Sequence, residues 1–388
     1  MNILYSHVGI NGRNGWGRTY YMAKGLSELG HKVVLLTINP HCSFFRVKKI
    51  VVNNLTVFVF PDFFPTKFKT SGFAIWSTLF KIIFSAFHKF DVSIADCGHR
   101  FTSLPCKVNR MFYKTIYVTE WWDFFGKGGY VEKKSRLFKF LYGRLECYNE
   151  IHDKLNADVV IVLSTYMKQR ALENGVNKDK VHIIPGGSII DYIAPFDDNR
   201  EEKSEDVINI AYIGIDNHEL EHILPFLNAL KEIKANHKFR LILYGNRISP
   251  DIWMKYGLDD LSEHRGYINY DKDVSTLKDV DIFLQLLDNN NVSKAGWPNK
   301  LGDYLSFGKP IILSPYGDLV SFVENKEGFF LVDYDKESIK RTLLRIDSLP
   351  KEQLEKMGKS NICLAKQISW RNRALELQTV LNNQFNLI

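Results

Sequence analysis

The chain has 388 residues, of which 45% are hydrophobic and 24% charged, a balance that excludes disordered, fibrous and small disulfide-stapled classes and leaves room for two domains. The net charge of +7 is uneven: residues 1–200 carry 27 Lys and Arg against 16 Asp and Glu, and residues 201–388 carry 24 against 28. The basic half reads either as a surface that meets something anionic or as an ordinary solvated basic surface, and no recognised motif accompanies it, so nucleic acid is not expected.

Strand and helix patterns alternate from the start. Ile3–Ser6 and Lys32–Thr37 read as strands around a helix at Tyr20–Leu29. Between them, the run from Gly9 to Arg18 is glycine-rich, and Gly12 and Gly15 would let backbone approach a ligand closely. Its spacing is not Gly-x-Gly-x-x-Gly, and Asn39 rather than an acid closes the second strand, which argues against a nicotinamide enzyme. Arg18 reads as a phosphate contact or an exposed helix residue. Buried strands follow at Thr56–Phe60, Val92–Ala95, Thr115–Val118 and Val159–Leu163. This alternation predicts doubly wound parallel sheets.

Ser71–Phe90 is unusually aromatic, with lysines around it at 67–90. Its apolar stretch is too short to span a bilayer. It reads either as a core helix or as an amphipathic helix lying on an anionic membrane. Strand ends carry candidate chemistry, because open α/β sheets bind ligands there. His99 follows one strand. Glu120, Trp121, Trp122 and Asp123 follow another: either Trp could stack on a sugar face or be a buried loop anchor, and either carboxylate could hold a hydroxyl or act as a base.

A polar run at 196–206 reads as a linker. Strands then resume at Ile208–Ile213, Arg240–Tyr244, Asp281–Leu286, Pro310–Leu313 and Phe329–Val332, and Trp370 opens a last amphipathic helix. The five cysteines are scattered without ligand spacing, which fits free thiols in a reducing cytoplasm. The first strand begins at Asn2, so no leader segment is expected. Two Asp-x-Asp pairs, Asp271 with Asp273 and Asp279 with Asp281, fall in a turn and at a strand edge, and no metal is expected at either.

Residues 294–313 carry the densest signal. Gly296 and Trp297 end a loop, Pro298 suits a first helical position, and Leu301, Tyr304 and Leu305 form an apolar stripe. Gly308 stops the helix in a left-handed cap before the next strand. A helix this short is unstable alone, but its start is an anion site, with Asn299 and Lys300 in the first turn. Asp303 lies one turn on, within reach of a ribose whose phosphates sit at the helix start. That set points to a nucleoside-diphosphate ligand.

The stretch from Pro298 through Lys300, Asp303 and Tyr304 to Gly308-Lys309-Pro310 closely resembles the donor motif of GT-B glycosyltransferases, family four above all, with Asp303 where the family usually has Glu. The run Leu26-Ser27-Glu28-Leu29-Gly30-His31-Lys32-Val33 is similar to that family's early signature, with His31 a structural turn residue. Gly214 and the turn Gly266-Tyr267-Ile268 fit its diphosphate and base sites. The resemblance implies two Rossmann-like α/β domains facing across a cleft: 1–195 for the acceptor, 207–369 for the donor, and 370–388 crossing back. It implies transfer of a sugar, probable retention, no metal or other cofactor, and a nucleotide-sugar co-substrate, UDP or GDP foremost. The acceptor would be a glycan or lipid-linked glycan on the cytoplasmic side of the membrane, in surface polysaccharide or glycoconjugate synthesis.

Two features depart from the family. Its Arg and Lys after Gly214 are replaced by Ile215-Asp216-Asn217-His218-Glu219, and its first motif acid is Ala295. Lys300 and Arg247 could supply the missing charge. The alternatives left open are a silent GT-B subunit that binds a partner and a sugar-nucleotide epimerase.

Overall fold

A computed structural model describes residues 1–10, 17–65, 69, 74–97, 99–123, 126, 129–133, 136–193, 207–217, 219–233, 235, 239–268, 270 and 274–386. The linker expected at 196–206 lies outside them. The chain forms two compact units: Met1–Gly187 with Lys294–Trp297 and Trp370–Ile388, and Ser188–Ser293 with Pro298–Ser369.

Unit 1 holds an eight-stranded sheet in the order β3-β4-β2-β1-β5-β6-β7-β8. The strands are β1 (Asn2–Ile10), β2 (Lys32–Cys42), β3 (Lys48–Val52), β4 (Leu55–Asp62), β5 (Val92–Ala95), β6 (Ile116–Trp121), β7 (Val159–Val162) and β8 (Val181–Ile183). All neighbours are parallel except β3 and β4. The antiparallel pair turns at Asn53, whose φ of 53° is one that Asn tolerates better than most residues. Every residue of β5, β6 and β7 is buried, as expected of parallel strands covered on both faces. The longer helices of this unit are α1 (Gly17–Glu28), α2 (Ile75–Phe87), α3 (Arg100–Tyr113), α4 (Arg144–Leu155) and α5 (Thr165–Glu173).

Unit 2 holds a six-stranded parallel sheet, β11-β10-β9-β12-β13-β14. Its strands are β9 (Ile208–Ile215), β10 (Phe239–Gly245), β11 (Ser262–His264), β12 (Ile282–Gln285), β13 (Ile311–Leu313) and β14 (Phe329–Leu331). They are flanked by α6 (Leu224–Ile233), α7 (Asn299–Ser306), α8 (Lys336–Asp347) and α9 (Lys351–Gln367). One apolar cluster runs from Ile210 and Leu241 on the sheet to Phe226 and Leu230 on α6 and Ile339 and Leu343 on α8. The last helix, α10 (Trp370–Asn386), packs on α1 in unit 1. There Tyr21 stacks on Trp370 at 6.4 Å, and Gln378 bonds His31 at 3.2 Å.

The expected doubly wound α/β organisation is present in both units. The sequence reading did not include β3 and β11, edge strands of five and three residues. No helix of the described residues is long and apolar enough to cross a membrane.

The site rests on how α7 meets α9. A Cβ added at Gly358 of α9 would lie 2.0 Å from the carbonyl oxygen of Gly308, and backbone cannot swing aside as a side-chain tip can. Gly358→Ala is therefore expected to lower the stability of unit 2 by about 1–3 kcal/mol, read as an earlier urea midpoint. An unchanged midpoint would contradict this packing account.

Candidate functional site

Helix α7 has eight residues, too few to be stable in isolation, so tertiary contacts hold it. Leu301, Tyr304 and Leu305 are fully buried. The Tyr304 ring stacks on Phe283 of β12 at 4.3 Å, and its hydroxyl accepts the Ile213 N–H of β9 at 3.0 Å. Gly308 has a φ of 62° and ends the helix in the left-handed conformation. Pro298 corrects one expectation. It is the cap and not the first helical residue: its ψ is 115°, and its carbonyl accepts the Leu301 N–H at 3.0 Å.

This anchoring brings Lys300 beside Gly214 at the end of β9. Gly214 has a φ of 85°, and a Cβ there would lie 3.1 Å from the Lys300 Cε. Glycine therefore both adopts the turn and leaves room for the lysine. The Lys300 ammonium donates to the Tyr212 hydroxyl and the Glu219 carboxylate, each at 2.8 Å, and lies 4.3 Å from the Tyr212 ring centroid. Burial pushes the Glu219 carboxyl up, but Lys300 and the Tyr212 hydroxyl outweigh it and hold it below the usual range. Asp303, one turn along, accepts from the Tyr270 hydroxyl at 3.1 Å. Burial pushes its carboxyl up to about 7, against the opposing pull of that hydrogen bond.

The other expected donor residues are dispersed. Arg247 is exposed beyond β10 and makes no ion pair among the described residues. Gly266, with a φ of 73°, offers its carbonyl to the Gly245 N–H at 2.8 Å. Beside it, Ile268 is buried and Tyr267 exposed, so only Tyr267 presents a ring to solvent. Asn299 is exposed and Gly296 half-buried. Trp297 is buried, and a Cβ added at Gly186 would strike its indole at 2.3 Å. Gly12 and Gly15 lie outside the described residues.

In unit 1, Glu120 is fully buried. Arg18 donates to its Oε1 at 3.3 Å through both Nε and Nη2, and the Trp122 indole donates to its Oε2 at 2.8 Å. Arg18 is thus neither exposed nor free for a phosphate. It is buried, with a second bond to the Pro185 carbonyl at 2.8 Å. Trp121 follows the buried-anchor reading rather than the stacking one. It is fully buried, with its indole on Glu150 at 2.8 Å and the cations of Lys154 and Arg170 at 5.7 and 5.4 Å from its ring. Trp122 is only half-buried. Burial pushes the Asp123 carboxyl up to about 6. His99 caps α3, stacks on Phe101 at 5.3 Å and lies 3.8 Å from Glu146.

The sequence reading missed the partners that set the state of these groups. Tyr212 and Glu219 hold Lys300, and Tyr270 holds Asp303. His7, in β1, is paired with buried Asp96, which also accepts from Thr19 at 3.0 Å. One signal was available: the run after Gly214 lacks both cations of the resembled family and carries acids, Glu219 among them. Among the described residues no group of three or more His, Cys, Asp and Glu side chains is placed to hold a metal ion.

Two family models match the chain in succession: Glycosyltransferase Family 4 over residues 18–191 and Glycosyl transferases group 1 over residues 208–347. The chain belongs to the GT-B glycosyltransferases. It is 23% identical over 241 residues to an uncharacterized glycosyltransferase of Methanocaldococcus jannaschii, a match that covers 59% of each chain. Similar solved structures include a sucrose-phosphate synthase from Thermosynechococcus elongatus, with a TM-score of 0.73, 16% identity and all of both chains covered. The Anabaena protein HepE in complex with UDP-glucose gives 0.67 at 13% identity over 99% of this chain and 100% of that one. A trehalose-6-phosphate protein from E. coli bound with UDP-2-fluoro glucose gives 0.66 at 12% identity over 98% of each chain. These likenesses establish the GT-B fold of this glycosyltransferase.

Two expectations follow for unit 2. The raised Asp303 pKa means that the folded chain holds a proton that the unfolded chain releases, so the penalty for ionising it grows from about pH 4 to about pH 7. Asp303→Asn should therefore stabilise the fold by roughly 2–4 kcal/mol at pH 8, with the gain shrinking toward pH 4 in denaturant titrations. A gain independent of pH would contradict the assignment. Glu219→Gln should free Lys300 and tighten nucleoside-diphosphate binding by about three- to tenfold, measured by calorimetry. Weaker binding in that variant would show that Glu219 serves the ligand directly.

Proposed function

We propose that this glycosyltransferase moves a sugar from a nucleoside-diphosphate donor, held by unit 2, to a glycan or lipid-linked acceptor held by unit 1. The observation that carries the reading is the placement of Lys300 beside Gly214 on the first turn of α7, with Asp303 one turn further. The outward N–H groups of that turn and the lysine would take the diphosphate oxygens. Diphosphate entry would exchange Glu219 for phosphate on the Lys300 ammonium. Ionised Asp303 would accept the ribose hydroxyls, and exposed Tyr267 and Arg247 would lie toward the base and phosphates.

Charge develops on the leaving diphosphate as the glycosidic C–O bond breaks, and fixed donors at that point lower the barrier. In the retaining route the acceptor oxygen bonds the anomeric carbon on the face the phosphate leaves, and the departing phosphate oxygen takes the acceptor's proton. The half-buried Trp122 is the better platform for a sugar face. Asp123, with a carboxyl near 6, suits a base close to neutral pH, and His99 would orient acceptor hydroxyls. Glu120, with both oxygens already accepting bonds, would position Trp122. Residues 67–90 would bring the chain to an anionic membrane where a lipid-linked acceptor resides, on the cytoplasmic side, in surface polysaccharide or glycoconjugate synthesis.

Calorimetry with UDP-, GDP-, ADP- and dTDP-sugars tests the donor reading. One nucleotide should bind in the micromolar range and at least tenfold more weakly to Lys300→Ala and to Asp303→Ala. No binding across the panel would contradict the reading. NMR of the product anomer tests the route: a retained anomer is expected, and an inverted one would assign the proton to Asp123.

A further inference from the structure

Helix α2 packs Phe80 and Phe84 on the core of unit 1, yet it buries polar side chains beside them and turns other apolar ones outward. Its buried residues include Ser77, Thr78, Lys81 and Ser85, while Ile75, Leu79, Ile83 and Phe87 are exposed. The inward groups are satisfied. The Lys81 ammonium donates to the His7 carbonyl at 2.6 Å, and the Ser77 N–H donates to Asp62 at 3.0 Å. The outer apolar residues recur every fourth position, so they form one continuous stripe about 20 Å long.

The stripe has neighbours. Asn109 on α3 donates to the Ser85 and His88 carbonyls, each at 2.7 Å, which fixes α3 beside α2. Ion pairs from Arg100 to Glu146 at 3.0 Å and from Lys107 to Asp153 at 2.7 Å fix α4 beside α3. Met111 and Phe112 on α3 and Phe140 just before α4 are exposed too, the last at 84%. Three adjacent helices thus carry apolar side chains outward.

Charge identifies the occupant. Residues 63–90 and 97–119 contain no Asp or Glu. Lys89, Lys114, Arg136 and Arg144 are exposed and make no ion pair among the described residues. A two-fold dimer through this face would set those cations against themselves. An anionic lipid surface would attract and neutralise them. We infer that the α2–α3–α4 face of unit 1 lies on an anionic phospholipid bilayer, apolar side chains in the interface and cations at the headgroups. This deepens the membrane contact proposed above, extending it from residues 67–90 to three helices.

Sedimentation of the full chain with phosphatidylcholine vesicles, with and without phosphatidylglycerol, tests the proposal. Binding to the anionic vesicles is expected and should weaken with salt. It should fall about tenfold in Leu79→Glu/Ile83→Glu and in Met111→Glu/Phe112→Glu, with melting curves as the check on folding. Lys89→Glu/Lys114→Glu removes charge at exposed positions and serves if the apolar variants unfold. Absent vesicle binding overturns the proposal, as does binding that none of the three variants weakens. A concentration-dependent dimer broken by the same variants, without vesicle binding, overturns it in favour of a second copy. Nucleotide binding measured on the same samples separates the claims. Retained there but with no vesicle binding, it rejects the surface alone. Lost there with vesicle binding intact, it rejects the transferase reading alone.

Discussion

Everything proposed for unit 2 depends on the seating of one short helix. Eight residues cannot hold a helix in water, so α7 exists because Tyr304 is clamped between Phe283 and the Ile213 amide. Gly308 and Gly358 also let it sit backbone to backbone on α9. The same clamp aligns the end of β9 with the start of α7. Gly214 and Lys300 are neighbours for that reason, and the diphosphate site proposed at the turn would be a by-product of core packing. Its charged groups lie on a rigid element, as precise ligand placement requires.

The two units treat charge differently. In unit 1 several buried charges are closed on one another: Arg18 on Glu120, and Lys154 on Asp153, which the partly exposed Lys107 also pairs. Removing one partner of such a pair would strand the other, so these groups read as architecture around the strand ends. In unit 2, Lys300 and Glu219 are paired but half exposed, and Asp303 is held in low dielectric by a single phenol. Groups poised in this way change state when a ligand supplies new partners, which is the pattern of a binding site.

Local chemistry was legible in the sequence, and tertiary chemistry was not. The Gly308 cap and the placement of Lys300 and Asp303 one turn apart could be read because they follow from position along one helix. Glu219 and Tyr270 could not be assigned to them, since those partners lie 81 and 33 residues away. Trp121 and Trp122 look equivalent in the chain. The difference arises because Trp121 is the last residue of a strand covered on both faces and Trp122 lies just past it. The outward stripe of α2 was half legible: the apolar periodicity was plain, but apolar residues lie on both sides of the helix, Phe80 and Phe84 on the core and Leu79 and Ile83 outside. The hairpin between β3 and β4 did have a signal, Asn53-Asn54 between β-branched runs, and it went unread.

Hydrogen–deuterium exchange of the full chain with and without the nucleoside diphosphate that binds it tests the central claim most directly. Ligand held by the first turn of α7 must shield the amides of residues 299–301 and of the β9 end around Gly214. Slower exchange in both segments, lost in Lys300→Ala, is the predicted result. Nucleotide binding that leaves both segments unchanged would contradict the account.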